Sequence, residues 1–128
     1  MRPAVARASG PVHPDEAWDR YARPERWSQW SPQVREVDMD SDVIAAGSAG
    51  TVRTLGGVQV RFVVLDVDPP ARSWSWRVRV GPVGMVLEHH LLPRPDGGTR
   101  AEVVIHGAWA VARLYRLPAT VALHRLVH

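Results

Sequence analysis

The segment Val58 to Val80, VQVRFVVLDVDPPARSWSWRVRV, leaves this chain the fewest options. Its β-branched and aromatic runs meet at Asp68-Pro69-Pro70-Ala71. Proline fixes its own φ and cannot donate to a ladder, so the pair marks a hairpin tip and not a continuing strand. In the second run Trp74, Trp76, Val78 and Val80 alternate with Ser73, Ser75, Arg77 and Arg79, the period-2 pattern of a sheet with one dry and one wet face. Two indoles on the dry face need a large surface to pack against. The rest of the chain has to supply that cover.

A chain of 128 residues is long enough for one domain, expected to span 1–128, with a core that needs no covalent staple. The absence of cysteine excludes disulfides and thiolate metal sites. Met1 to Gly10 has arginines and a glycine where a secretory signal would be apolar, and no apolar run approaches the roughly 20 residues of a membrane span. A soluble, cytoplasmic protein is the expectation. All 16 basic residues are arginine, with no lysine or asparagine, which points to a GC-rich bacterial coding sequence more than to a selected surface. The arginines are interspersed with 13 carboxylates for a net charge of only +3, which argues against nucleic acid as a partner.

Before the central hairpin, Ala4 to Ala6 read as a short edge strand, and Pro11-Val12-His13-Pro14 break it. Pro14 followed by Asp15 and Glu16 fits a helix start, with Trp18 and Tyr21 on one side of a helix over 14–22. Pro24 restarts a second short helix carrying Trp27 and Trp30, ended by Pro32. Neither helix is stable alone, so both must cap something apolar. Strands follow over 34–39, 50–55, 58–67, 73–80, 85–92 and 99–105, with turn signals between them such as Gly56-Gly57 and Asp96-Gly97-Gly98. Such short connections specify an antiparallel meander and an α+β class. From about Ala108 the period becomes helical, with Leu114 and Val121 expected on the buried side and Pro118 as a kink or a true start.

This order resembles the START and birch-pollen-allergen-like (SRPBCC) superfamily with its helix-grip fold. The resemblance rests on Pro14-Asp15-Glu16-Ala17-Trp18, Trp27-Ser28-Gln29-Trp30-Ser31-Pro32, Gly47, Asp68-Pro69-Pro70, and Gly97-Gly98-Thr99-Arg100 leading to Gly107. It implies a sheet of six to seven strands gripping a long C-terminal helix, and a cavity between them for lipids, polyketides or other apolar ligands. Some members are polyketide cyclases or dehydrases, and others only bind. Bacterial aromatase/cyclases of similar layout usually carry a serine and an arginine on the strand leading to the Pro turn, where this chain has Val64 and Asp66.

Strand alternation then sorts the candidates. With Trp74 and Trp76 inward, the next strands contribute Met85, Leu87, His89 and Leu91, then Ala101, Val103 and Ile105. Trp27, Trp30, Arg53 and Leu114 complete the expected pocket, and the small residues Ala108, Ala110 and Ala112 leave it space. His89 is the one ionisable group on the apolar side, either a proton donor and acceptor or a satisfied wall residue. The strand over 58–67 has two registers. A four-residue loop turns Arg61, Val63, Leu65 and Val67 inward, whereas an odd loop or a bulge turns Phe62, Val64 and Asp66 inward. In the first register Arg61 could polarise a ligand carbonyl. His89 and His90 point to opposite faces and His106 lacks helical spacing to either, so no metal and no cofactor is expected. Two readings remain: a small cyclase or dehydratase-like enzyme, and a monomeric or homodimeric carrier that shields a small hydrophobic molecule.

Overall fold

The computed structural model describes residues 3–107 and 109–128, the side chains of 109–114 excepted. Seven strands form one antiparallel sheet: β1 (Ala4–Gly10), β2 (Val34–Met39), β3 (Ala49–Thr54), β4 (Gln59–Asp68), β5 (Ser73–Val80), β6 (Val83–Pro93) and β7 (Thr99–Gly107). Their order across the sheet is β1-β7-β6-β5-β4-β3-β2, so β2 to β7 run as an uninterrupted meander and β1 closes onto β7. Helices α1 (Pro14–Ala22) and α2 (Trp27–Trp30) connect β1 to β2 through a 3-10 turn at Pro24–Arg26. Helix α3 (Trp109–Val127) lies against β1 and β7. This is the helix-grip architecture.

The register in the centre of the sheet follows the alternation of the sequence. Trp74 stands opposite His89 and His89 opposite Val103, while Trp76 stands opposite Leu87 and Leu87 opposite Ile105. The strand before the Pro turn combines both anticipated registers. Val67 faces Trp74, as the four-residue loop requires, but a bulge between Val64 and Asp66 inserts Leu65, and beyond it Phe62 and Val64 stand opposite Val78 and Trp76. Arg61 is thereby turned to the exposed outer face, opposite Arg79. A second irregularity between Val34 and Glu36 inserts Arg35 into β2. Gly50 sits where a Cβ would collide with the backbone carbonyl of Asp38 and with the Phe62 ring, so the absence of a side chain there makes room for that ring.

The C-terminal end of α3 is fastened by named bonds. Val12 N–H donates to the Val127 carbonyl (3.1 Å), and the Arg20 guanidinium donates to the Leu126 carbonyl (2.8 Å), satisfying helix-end acceptors that would otherwise lack partners. Among its described side chains, Ala119, Ala122, Leu123, Leu126 and Val127 are buried. Val121, expected inward, is exposed because it falls outside the stripe that Tyr115, Ala119, Ala122 and Leu126 define at spacings of three and four. The expectation that Ala108, Ala110, Ala112 and Leu114 face the cavity lies outside the described residues.

Pro118 sits inside α3 on an exposed position. It lacks the N–H that would bond to the carbonyl four residues back, and its ring crowds that carbonyl. Replacing Pro118 with Ala is expected to raise stability by about 1 to 3 kcal/mol. Chemical denaturation checks it, and an unchanged or lowered midpoint would contradict it.

Candidate functional site

Between the inner face of the sheet, α2 and α3 lies a cavity of about 210 Å³. Its walls are aromatic where the sequence concentrates tryptophan: Trp74 and Trp76 from β5, Trp27 and Trp30 from α2, and Tyr115 from α3. The second short helix exists to deliver two of these rings. Trp27 Nε1–H donates to the Tyr21 carbonyl (2.9 Å) and Trp30 Nε1–H to the Arg20 carbonyl (3.1 Å), so the last turn of α1 fixes both indoles. Trp27 then packs against Trp74 with a 5.7 Å centroid separation and edge-on to Trp76 at 5.1 Å. Offset and edge-to-face geometries of this kind are the favourable ones for aromatic pairs.

His89 is 7% exposed and lies flat on Trp74, with ring centroids 4.6 Å apart and planes 11° off parallel. Its nitrogens are already engaged. Trp76 Nε1–H donates to Nε2 at 3.0 Å, and because an indole only donates, that nitrogen must hold a lone pair. The proton of the neutral ring is therefore on Nδ1, which donates to the Tyr21 hydroxyl oxygen at 3.2 Å. Burial, reinforced by the charge of His90, pulls the imidazole pKa down to about 3. At neutral pH this side chain is an uncharged bridge between Trp76 and Tyr21 and is not presented as a free acid or base. Both nitrogens are thus partnered as those of a satisfied wall residue would be.

Among the other anticipated site residues, Met85, Leu87 and Val103 line the cavity together with the four tryptophans. Arg53 does not. It is exposed on the outer face and ion-pairs with Glu36 and Asp38, both at 3.2 Å, because its neighbour Val52 takes the inward position opposite Val60. Arg61 points outward for the reason given by the bulge at Leu65. The described lining residues accordingly include no carboxylate, arginine or lysine. Among the described residues no cluster of three or more metal-ligating side chains occurs.

Three features of the site escaped the sequence reading. Tyr21 reaches His89 across 68 residues, a contact no local period can signal. Ser31 is buried on the cavity wall, and its place just after Trp30 was the available clue. The indole N–H of Trp74 is buried with no hydrogen-bond partner among the described residues. Tyr115 also lines the cavity, and burial raises its phenol pKa above the ordinary value.

Residues 5–127 match in sequence the family described as polyketide cyclase / dehydrase and lipid transport. The chain belongs to this family. That match places it within the SRPBCC superfamily. No curated protein matches the sequence. Solved structures do. A hypothetical protein from Helicobacter pylori superposes with a TM-score of 0.80 at 10% identity, covering 97% of this chain and 86% of that one. Ara h 8.0201 superposes with a TM-score of 0.73 at 10% identity, covering 97% and 93%. DynU16, a protein of the dynemicin biosynthetic locus, superposes with a TM-score of 0.79 at 18% identity, with 99% of this chain covering 46% of that one. Such identities establish a shared fold alone.

Proposed function

We propose that this member of the polyketide cyclase/dehydrase and lipid transport family holds a small, neutral, largely apolar ligand in the aromatic cavity, as a binding or carrier protein. The observation that carries the reading is the engagement of both His89 nitrogens by Trp76 and Tyr21. A cavity whose one imidazole is neutral and occupied, and whose phenol is pushed away from neutral pH, offers binding surface without a ready general acid or base. Cyclisation by confinement of a flexible chain is the alternative that the family description keeps open, and it would rest on shape, with Ser31, Gln33, Thr54 and Tyr115 as polar groups on the wall beside His89.

The size and polarity of the cavity narrow the ligand. A dry cavity of about 150 Å³ accommodates benzene, so about 210 Å³ suits a ligand of one or two fused rings in its enclosed part. A carboxylate would have to shed its hydration without a countercharge among the described lining residues.

Titration with 2-naphthol is therefore expected to change the tryptophan emission, since Trp27, Trp30, Trp74 and Trp76 all line the cavity. The 2-naphthoate anion should bind about tenfold more weakly or worse. Equal affinities, or preference for the anion, would overturn the neutral-ligand reading.

A further inference from the structure

We infer that the cavity end of this protein docks on an anionic lipid surface through the paired tips of the β3–β4 and β5–β6 hairpins. The two tips lie at one end of the sheet, because the start of β4 runs beside the end of β5, with Arg61 opposite Arg79. Two strand spacings, about 10 Å, separate them. Their residues are Leu55-Gly56-Gly57-Val58 and Val80-Gly81-Pro82-Val83, with no charge in either. Leu55 is 70% exposed, Val58 49%, Val80 40% and Val83 40%. Single exposed aliphatics are ordinary on a protein surface, but four on two adjacent protruding turns form a wedge.

Charge behind the wedge selects the partner. Arg79 precedes the β5–β6 tip by one residue and Arg61 follows the β3–β4 tip by three, which at about 3.3 Å per residue roots both arginines some 3 to 10 Å behind the apolar tips. They stand directly across from one another, a mutually repulsive arrangement, and neither has a carboxylate partner among the described residues. Five carboxylates belong to the opposite end of the sheet, Asp40 and Asp42 in the β2–β3 turn, Asp66 and Asp68 beside the β4–β5 turn and Asp96 in the β6–β7 turn, while Glu36 and Asp38, in the rows of Arg53 and Arg61, are both engaged by Arg53. Apolar side chains sunk about 5 to 10 Å into the headgroup boundary with arginines at phosphate depth is the geometry of interfacial anchoring. A flat acidic protein surface would meet the arginines only after burying the protruding tips against its own polar groups.

The wedge also adjoins the cavity. Val80 is at once a tip residue and a lining residue, and Thr54, Val60 and Met85 line the cavity at this end. A ligand entering here from a bilayer would pass from one apolar medium to another, a consequence that rests on the proposed function, whereas the docking does not.

Flotation with vesicles tests it. The protein should float with phosphatidylcholine vesicles containing phosphatidylglycerol, release with added salt, and bind pure phosphatidylcholine vesicles about tenfold more weakly or worse. The pair Arg61→Gln with Arg79→Gln should weaken binding about tenfold or more, and the pair Leu55→Asp with Val83→Asp should abolish it. Arg7→Gln, on β1 and paired with Glu102, should leave it unchanged. These positions are outside the cavity lining, so 2-naphthol titration in vesicle-free buffer reports whether each variant is folded. No binding to anionic vesicles, binding indifferent to both pairs, or a concentration-dependent dimer that the tip pair dissolves would overturn the inference. Intact 2-naphthol binding with no vesicle binding removes the docking alone, and the converse removes the cavity reading alone.

Discussion

Between pH 6.5 and about pH 4.5 the folded protein is expected to lose about 2 kcal/mol of stability through His89 alone. In the unfolded chain this imidazole has its ordinary value of 6.5, whereas burial holds it near 3 in the folded state. Over that interval the unfolded chain binds a proton that the folded chain refuses, so the contribution is complete above pH 6.5 and declines as the pH falls. Protonation would also give Nε2 a hydrogen facing the Trp76 N–H, two donors pointed at one another. The carboxylates of Asp15, Glu16 and Asp19 are held below their usual range, first by hydrogen bonds from arginines, so their losses come at lower pH and leave the upper window to His89. Urea denaturation at a series of pH values measures the slope. His89→Gln, whose amide can accept from Trp76 and donate to Tyr21 without titrating, is expected to flatten it, and a variant that keeps the wild-type slope would exclude His89 as its source.

The second large effect is expected at Trp27. Its ring is 2% exposed and touches Phe62, Trp74 and Trp76 while its N–H serves the Tyr21 carbonyl. Truncation to Ala should cost about 3 to 5 kcal/mol, combining lost burial, an unfilled void and an orphaned carbonyl. The void would join the existing cavity. Trp27→Ala should therefore bind the three-ring 2-anthrol more tightly than wild type does, while its affinity for 2-naphthol falls. Destabilisation of less than about 1 kcal/mol, or no change in the preference between the two ligands, would mean that the ring is neither central to the core nor a limit on the cavity.

These outcomes separate what the sequence made legible from what it hid. Strands β5 to β7 were readable because Trp74, Leu87 and Val103 sit in unbroken alternation, and the structure keeps their register pair by pair. Strand β4 was ambiguous for a physical cause: an unpaired Leu65 adds one residue on one side of the ladder, so no single phase fits both Val67 and Phe62. Arg61 and Arg53 were drawn toward the cavity by the plausibility of their chemistry, and pairing geometry sent both outward. His89 was found on the correct face, but its state depends on Tyr21 from a distant helix, which alternation cannot report. The helical period of the last segment was visible, yet the phase within it was set by how Ala119, Ala122 and Leu126 meet the sheet, leaving Val121 outside.

Leu65 and Arg35 point to how such a cavity changes over evolution. Each is a single residue inserted against an intact partner strand, and each bends its strand without contributing to the cavity wall. Deleting Leu65 would leave Val64 opposite Trp76 and Val67 opposite Trp74, so the same side chains would still face inward, on a straighter strand. Insertions and deletions can thus retune the depth of the cup while its chemistry is inherited unaltered, and point substitutions can do the reverse. Two kinds of mutation act on two separate properties, which gives a lineage of this fold independent routes to a ligand of new size and to a ligand of new polarity.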